Sequence, residues 1–145
     1  TSKLNVHELR HLINTKVVGT DHQQMAILIQ SFGFKHGLPA DTDFMFDVRC
    51  LPNPHWERHL RPYTGKDQQV IDYLESFEVV HQMEQSILGF LQQWIPFFEK
   101  EGRSYMTVSI GCTGGQHRSV YLSTKVTQHL QESGKNISLR HRECD

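Results

Sequence analysis

One stretch constrains this chain more than any other. YMTVSIGCTGGQHRSVYL, residues 105–122, is an apolar run that breaks on two consecutive glycines and resumes as a helix-prone segment. Alternation through Met106, Val108 and Ile110 predicts a strand, and the stretch from Gln116 to Ser133 predicts a helix closed by Gly134. A strand, a glycine turn and a helix start make an anion cradle. Glycine lets the backbone come close to a ligand. The first N–H groups of a helix have no internal partner, and the helix dipole favours a negative charge there. Arg118 adds a guanidinium suited to a bidentate grip on phosphate. Thr113, Gly114, Gly115, Gln116 and Ser119 supply further backbone and polar groups. The plain alternative is a tight turn that uses glycine for geometry alone.

The rest of the chain gives this turn a layered setting. Met25–Phe34 (MAILIQSFGF) reads as a strand ending in a glycine turn. DFMFDVRCL alternates, with Phe44, Phe46 and Val48 on one face and Met45, Asp47 and Arg49 on the other. The prolines of LPNPHW stop it. Residues 66–100 read as two helices with a break near Ser76 and a kink or end at Pro96. NISLRHR is a final strand. Near the start, Leu4, Leu9, Leu12, Ile13 and Val17 fall at helical spacing, with Asn5 and Glu8 as a capping box. Strands alternating with helices predict an α/β layered domain with a mixed sheet and flanking helices.

Composition sets the outer limits. With 145 residues, 37% of them hydrophobic and 21% charged, the chain fits one soluble globular domain. It has no apolar run near the roughly 20 residues of a membrane span. A net charge of -1 gives no global nucleic-acid signature. Three separated cysteines, Cys50, Cys112 and Cys144, point to a reducing compartment, the cytoplasm. The chain opens without Met, which fits a fragment of something longer.

Three local patterns carry chemistry. Cys112, Gly115, Arg118 and Ser119 form C-x-x-G-x-x-R-S, the phosphate loop of cysteine-dependent phosphatases, where a thiolate attacks phosphorus. Gly111 stands where those enzymes carry His, and Asp41, Asp43 and Asp47 are the candidates for a general acid. Asp47 and Arg49 share a strand face before a loop holding Asn53 and His55, at the strand ends where ligands of open α/β sheets gather. Together with Arg118 they suit a sugar phosphate; a solvated Asp–Arg pair is the bland reading. HELRH, residues 7–11, matches the zinc-protease pattern H-E-x-x-H. Its histidines fall opposite the Leu9, Leu12 and Ile13 stripe, so we read a solvated helix face and no metal site.

SFGFKHG, FDVRCLPNPHW, LRPYTGKD, SYMTVSIGCTGGQHRSV and GKN together resemble the C-terminal domain of the RapZ family, the bacterial RNase adapter proteins. The likeness covers the chain from about Met25 onward. It implies that residues 1–20 end a nucleotide-binding domain, whose P-loop binds ATP or GTP, and that residues 21–145 are the C-terminal domain. It also implies a sheet like that of a phosphofructokinase subdomain, and no catalysis and no cofactor in this domain. The function implied is post-transcriptional regulation. The domain binds a small regulatory RNA, senses glucosamine-6-phosphate and presents the RNA to RNase E, controlling amino-sugar synthesis. It assembles as a dimer or tetramer and has no membrane partner. The implied metabolite pocket is Asp47, Arg49, His55, Thr113, Gly114 and Arg118. The implied RNA contacts are Lys35, His36, Arg61, Lys135, Arg140 and Arg142. The cysteine-dependent phosphatase remains the alternative.

Overall fold

The computed structural model describes residues 24–144. The amphipathic stripe from Leu4 to Val17, the HELRH pattern and the whole 1–20 segment lie outside the described residues. Four strands, β1 (Ala26–Gly33), β2 (Phe44–Asp47), β3 (Tyr105–Cys112) and β4 (Asn136–His141), form one sheet in the order β2-β3-β1-β4. Among the described residues three α-helices accompany them: α1 (Gln68–Glu75), α2 (Glu78–Lys100) and α3 (Arg118–Glu132). The α/β layered class stands. The sheet is wholly parallel, however, where a mixed one was expected. β3 lies between β1 and β2, so the 34–43 connection crosses over instead of closing a hairpin.

Sequence-derived boundaries hold to within two residues for most elements. The helix break falls between Glu75 and Glu78, beside Ser76, and Gly134 closes α3 with φ +87°. Pro96 does not end α2, which runs on to Lys100.

All three helices pack on one face of the sheet. Ile27, Ile29, Met106, Val108 and Ile110 point into a single core with Val70 and Leu74 of α1, Ile87, Leu91 and Ile95 of α2, and Val126 and Leu130 of α3. Phe44 and Phe46 extend that core through edge-on contacts with the Phe90 ring, at 5.2 and 5.6 Å between centroids. Side chains alternate along a strand, so Leu28, Gln30, Tyr105, Thr107, Ser109 and Arg140 occupy the opposite face. The 37–43 segment covers part of that face, with the Thr42 hydroxyl 2.8 Å from Ser109 Oγ.

Candidate anion-binding site

The turn from β3 into α3 sits at the carboxyl ends of the strands, as an α/β ligand site should. Its backbone lies directly on β1. A Cβ on Gly33 would come 2.5 Å from the Gly114 carbonyl carbon, and the Lys35 N–H donates to the Thr113 carbonyl at 3.1 Å. Gly115 has φ +78°, and a Cβ there would meet both Gly33 N and Glu143 Cγ at 2.5 Å. Glycine is therefore required at these two positions by contact and by conformation.

Above this floor opens a cavity of about 430 Å³. Asn53, His55, Thr113, Gly114 and Arg118 of the expected metabolite set line it. Lys35, His36 and Arg61, expected as RNA contacts, line the same cavity, together with His117. The described lining thus carries three permanent cations and three histidines and includes no carboxylate, a composition that attracts anions.

Arg118 is 4% exposed. Its Nη1 donates to the carbonyl oxygens of Arg49 at 2.8 Å and Leu51 at 3.1 Å. Its Nε is buried without a partner, and Nη2 donates no hydrogen bond among the described residues. The Nε–Nη2 edge is the one that grips phosphate side-on. A buried guanidinium with three of its five donors unused needs an explanation, and an incoming anion supplies one.

Asp47 and Arg49 do not join the lining. They are half-exposed and locked to each other, Arg49 Nε to Asp47 Oδ1 at 2.9 Å and Nη2 to Oδ2 at 2.7 Å. The Arg49 guanidinium holds the Asp47 carboxyl below the usual carboxylate range and stacks 3.8 Å over the Phe34 ring. The rim is likewise built from within. Asn53 Oδ1 accepts from the His55 N–H at 3.0 Å, and Arg61 Nε donates to the His55 carbonyl at 2.7 Å. His117 Nε2 lies 2.6 Å from the Tyr63 carbonyl, so that nitrogen carries the proton, while burial pulls the imidazole pKa down.

Gly115 and Ser119 serve the cysteine. Cys112 Sγ lies 3.1 Å from Ser119 Oγ and receives the Gly115 N–H at 3.3 Å. Burial pushes the thiol up, but the Ser119 and Gly115 hydrogen bonds and the Arg118 charge together hold it below the ordinary thiol value.

The remaining expected RNA contacts lie elsewhere. Arg140 and Arg142 line a second cleft, on the sheet face away from the helices. Lys135 precedes the first residue of β4, at the opposite end of the sheet, and pairs with Glu99 at 3.0 Å. Two residues that sequence reasoning did not select prove central. His117 had a signal, its place in the glycine turn. Glu143 had none. Its carboxylate accepts from Gly33 N–H at 3.1 Å and from Arg142 Nε at 2.8 Å, pinning the C-terminal segment beneath the glycine turn.

Comparison with known proteins adds one finding. Residues 25–145 match the profile described as the RapZ C-terminal domain. The chain is 56% identical over 144 residues to a nucleotide-binding protein of Thioalkalivibrio sulfidiphilus, covering 99% of this chain and 50% of that protein. It is 52% identical over 143 residues to one of Nitrosococcus oceani, covering 99% and 51%. The chain spans about half the length of the curated relatives it matches.

Proposed function

Because the chain belongs to the RapZ family, matching its C-terminal domain, we propose that it is a metabolite-sensing RNA adapter domain whose cavity takes glucosamine-6-phosphate. The observation that carries this reading is Arg118 itself, a buried guanidinium whose Nε has no hydrogen-bond partner and which lines a cavity ringed by Lys35, Arg61 and three histidines. In this reading its Nε–Nη2 edge grips the phosphoryl oxygens, and the N–H groups of the turn add to the hold. The half-exposed Asp47–Arg49 pair stands nearby to meet the amino and hydroxyl groups of the sugar. A small regulatory RNA binds through Lys35, His36 and Arg61. Since these line the same cavity, sugar phosphate and RNA phosphate exclude each other. With metabolite scarce, the RNA is held and presented to RNase E.

The nucleotide site of the named relatives falls, in this reading, in the half of them that this chain does not span. The chain contains no G-x-x-x-x-G-K-[ST]. The domain works in the cytoplasm, as part of a dimer or tetramer. The decisive experiment is calorimetric titration of glucosamine-6-phosphate into the parent and Arg118→Lys, which keeps the charge and loses the planar edge.

One observation favours a second reading, a cysteine-dependent phosphatase: the Cys112 thiol is held below its ordinary value beside Arg118. Against it, Cys112 is 2% exposed and its sulfur is engaged by Ser119 and Gly115. Asp47, the nearest candidate acid, is committed to Arg49. We therefore propose binding without turnover.

A further inference from the structure

The sheet face away from the helices carries a cleft of about 380 Å³ over β1, β3 and β4. Parallel strands are normally buried on both faces by apolar side chains. Here the middle of the sheet is polar instead. Gln30 and Thr107 line the cleft and are each only 6% exposed. Gln30 spends its Nε2 on Ser109 Oγ at 3.0 Å. Among the described residues the Gln30 carbonyl oxygen and the Thr107 hydroxyl make no hydrogen bond, and neither is among the atoms sealed from solvent without one, so both are reachable from outside. The cleft therefore has a polar floor whose donors and acceptors are open to solvent or to a ligand.

Its two ends differ in kind. At the start of β3 stands Tyr105, 54% exposed, beside Leu28. At the far end stands Arg140, exposed and paired with no carboxylate among the described residues. Arg142 next to it is held by Glu143 and the Gly37 carbonyl. Tyr105 pairs in register with Ala26 and Arg140 with Gln30. The two are thus offset by about 13 Å along the strands and about 10 Å across them. A lone phosphate ion cannot bridge such a gap. A ligand with a flat ring at one end and a phosphate at the other can, once the long arginine side chain reaches back toward the ring.

We propose that this cleft binds one unpaired nucleotide. The base lies against Tyr105 and Leu28, its polar edge meets Gln30 and Thr107, and its phosphate meets Arg140. A planar base recovers contact with an exposed aromatic whatever its identity, and its polar edge replaces the water that reaches the floor. The inference rests on the RNA-binding reading above and specifies which part of an RNA this face takes: an unstacked position, not a paired stem.

The test measures binding by the 145-residue chain of three probes: a labelled single-stranded octanucleotide, the same sequence closed into a duplex, and free nucleoside monophosphates. Tyr105→Ala should weaken octamer binding about tenfold. Tyr105→Phe should restore it, and Arg140→Ala should weaken it and flatten its salt dependence. Duplex binding and glucosamine-6-phosphate affinity should stay as in the parent. Octamer affinity unchanged in both Tyr105→Ala and Arg140→Ala overturns the inference. Parent binding of duplex alone also overturns it and leaves the RNA reading standing, whereas binding of no nucleic acid at all removes both. Monophosphates binding as tightly as the octamer would support the nucleotide site and identify the free nucleotide as its source.

Discussion

Arg118 Nη1 lies 2.8 Å from the Arg49 carbonyl oxygen and so ties the first turn of α3 to the end of β2. In the proposed function the same guanidinium has two duties, Nη1 for the fold and the rest for a ligand. Arg118→Ala should abolish sugar-phosphate binding and also destabilise the domain by about 2 kcal/mol, because the Arg49 and Leu51 carbonyls lose their donor. Calorimetry and urea unfolding read the two effects separately. Loss of binding with unchanged stability would contradict the dual role.

Gly115 is held at φ +78° with no space for a side chain. Gly115→Ala should cost about 2 kcal/mol or more and weaken ligand binding, since both the turn and the Glu143 contact must shift. Unfolding titrations check the cost, and a loss below about 0.5 kcal/mol would show that the turn yields easily.

Glu143 makes a pH-dependent contribution. Burial raises its carboxyl pKa, but the Gly33 N–H, Arg142 and His36 outweigh burial and leave it below the ordinary value. A carboxyl depressed in the folded state stabilises fully above its unfolded value, and that stabilisation fades as pH falls through the folded value. Glu143→Gln should thus be less stable than the parent near neutrality, by about 1 kcal/mol. The gap should close as the pH drops below the ordinary carboxylate range. A constant gap across that range would mean the charge is not what holds the segment.

Cys112→Ser should keep sugar-phosphate binding, since the account assigns the sulfur to the shape of the turn and not to attack on phosphorus. Sustained release of inorganic phosphate from sugar phosphates by the parent, lost in this variant, would favour the phosphatase.

How far the sequence revealed all this varies by feature. The turn itself was legible, because two glycines between an apolar run and a helix-prone one have few physical uses. So were the helices, the Ser76 break and the Gly134 close, which depend on local spacing. Strand direction was not legible, because alternation marks a strand without saying which neighbour it pairs with. The same gap hid Glu143. β4 pairs with β1 in the register Ser31 to His141, and that register carries Glu143 to Gly33 two residues on. It also separated Lys135 from Lys35, Arg61 and Arg140, which look alike as charges in a sequence and lie at different ends and faces of one sheet. Arg118 was expected to clamp an anion, and its second task was invisible because the carbonyls it holds are 67 and 69 residues away.

The central claim is that one cavity serves both the sugar phosphate and the RNA. The direct measurement is titration of a structured small RNA into the domain at fixed salt, over a series of glucosamine-6-phosphate concentrations, for the parent and Arg118→Lys. The account predicts that the apparent RNA Kd of the parent rises in proportion to metabolite once the cavity is half filled, and that the Arg118→Lys series stays flat. An RNA Kd that does not move while calorimetry shows the metabolite bound would contradict it.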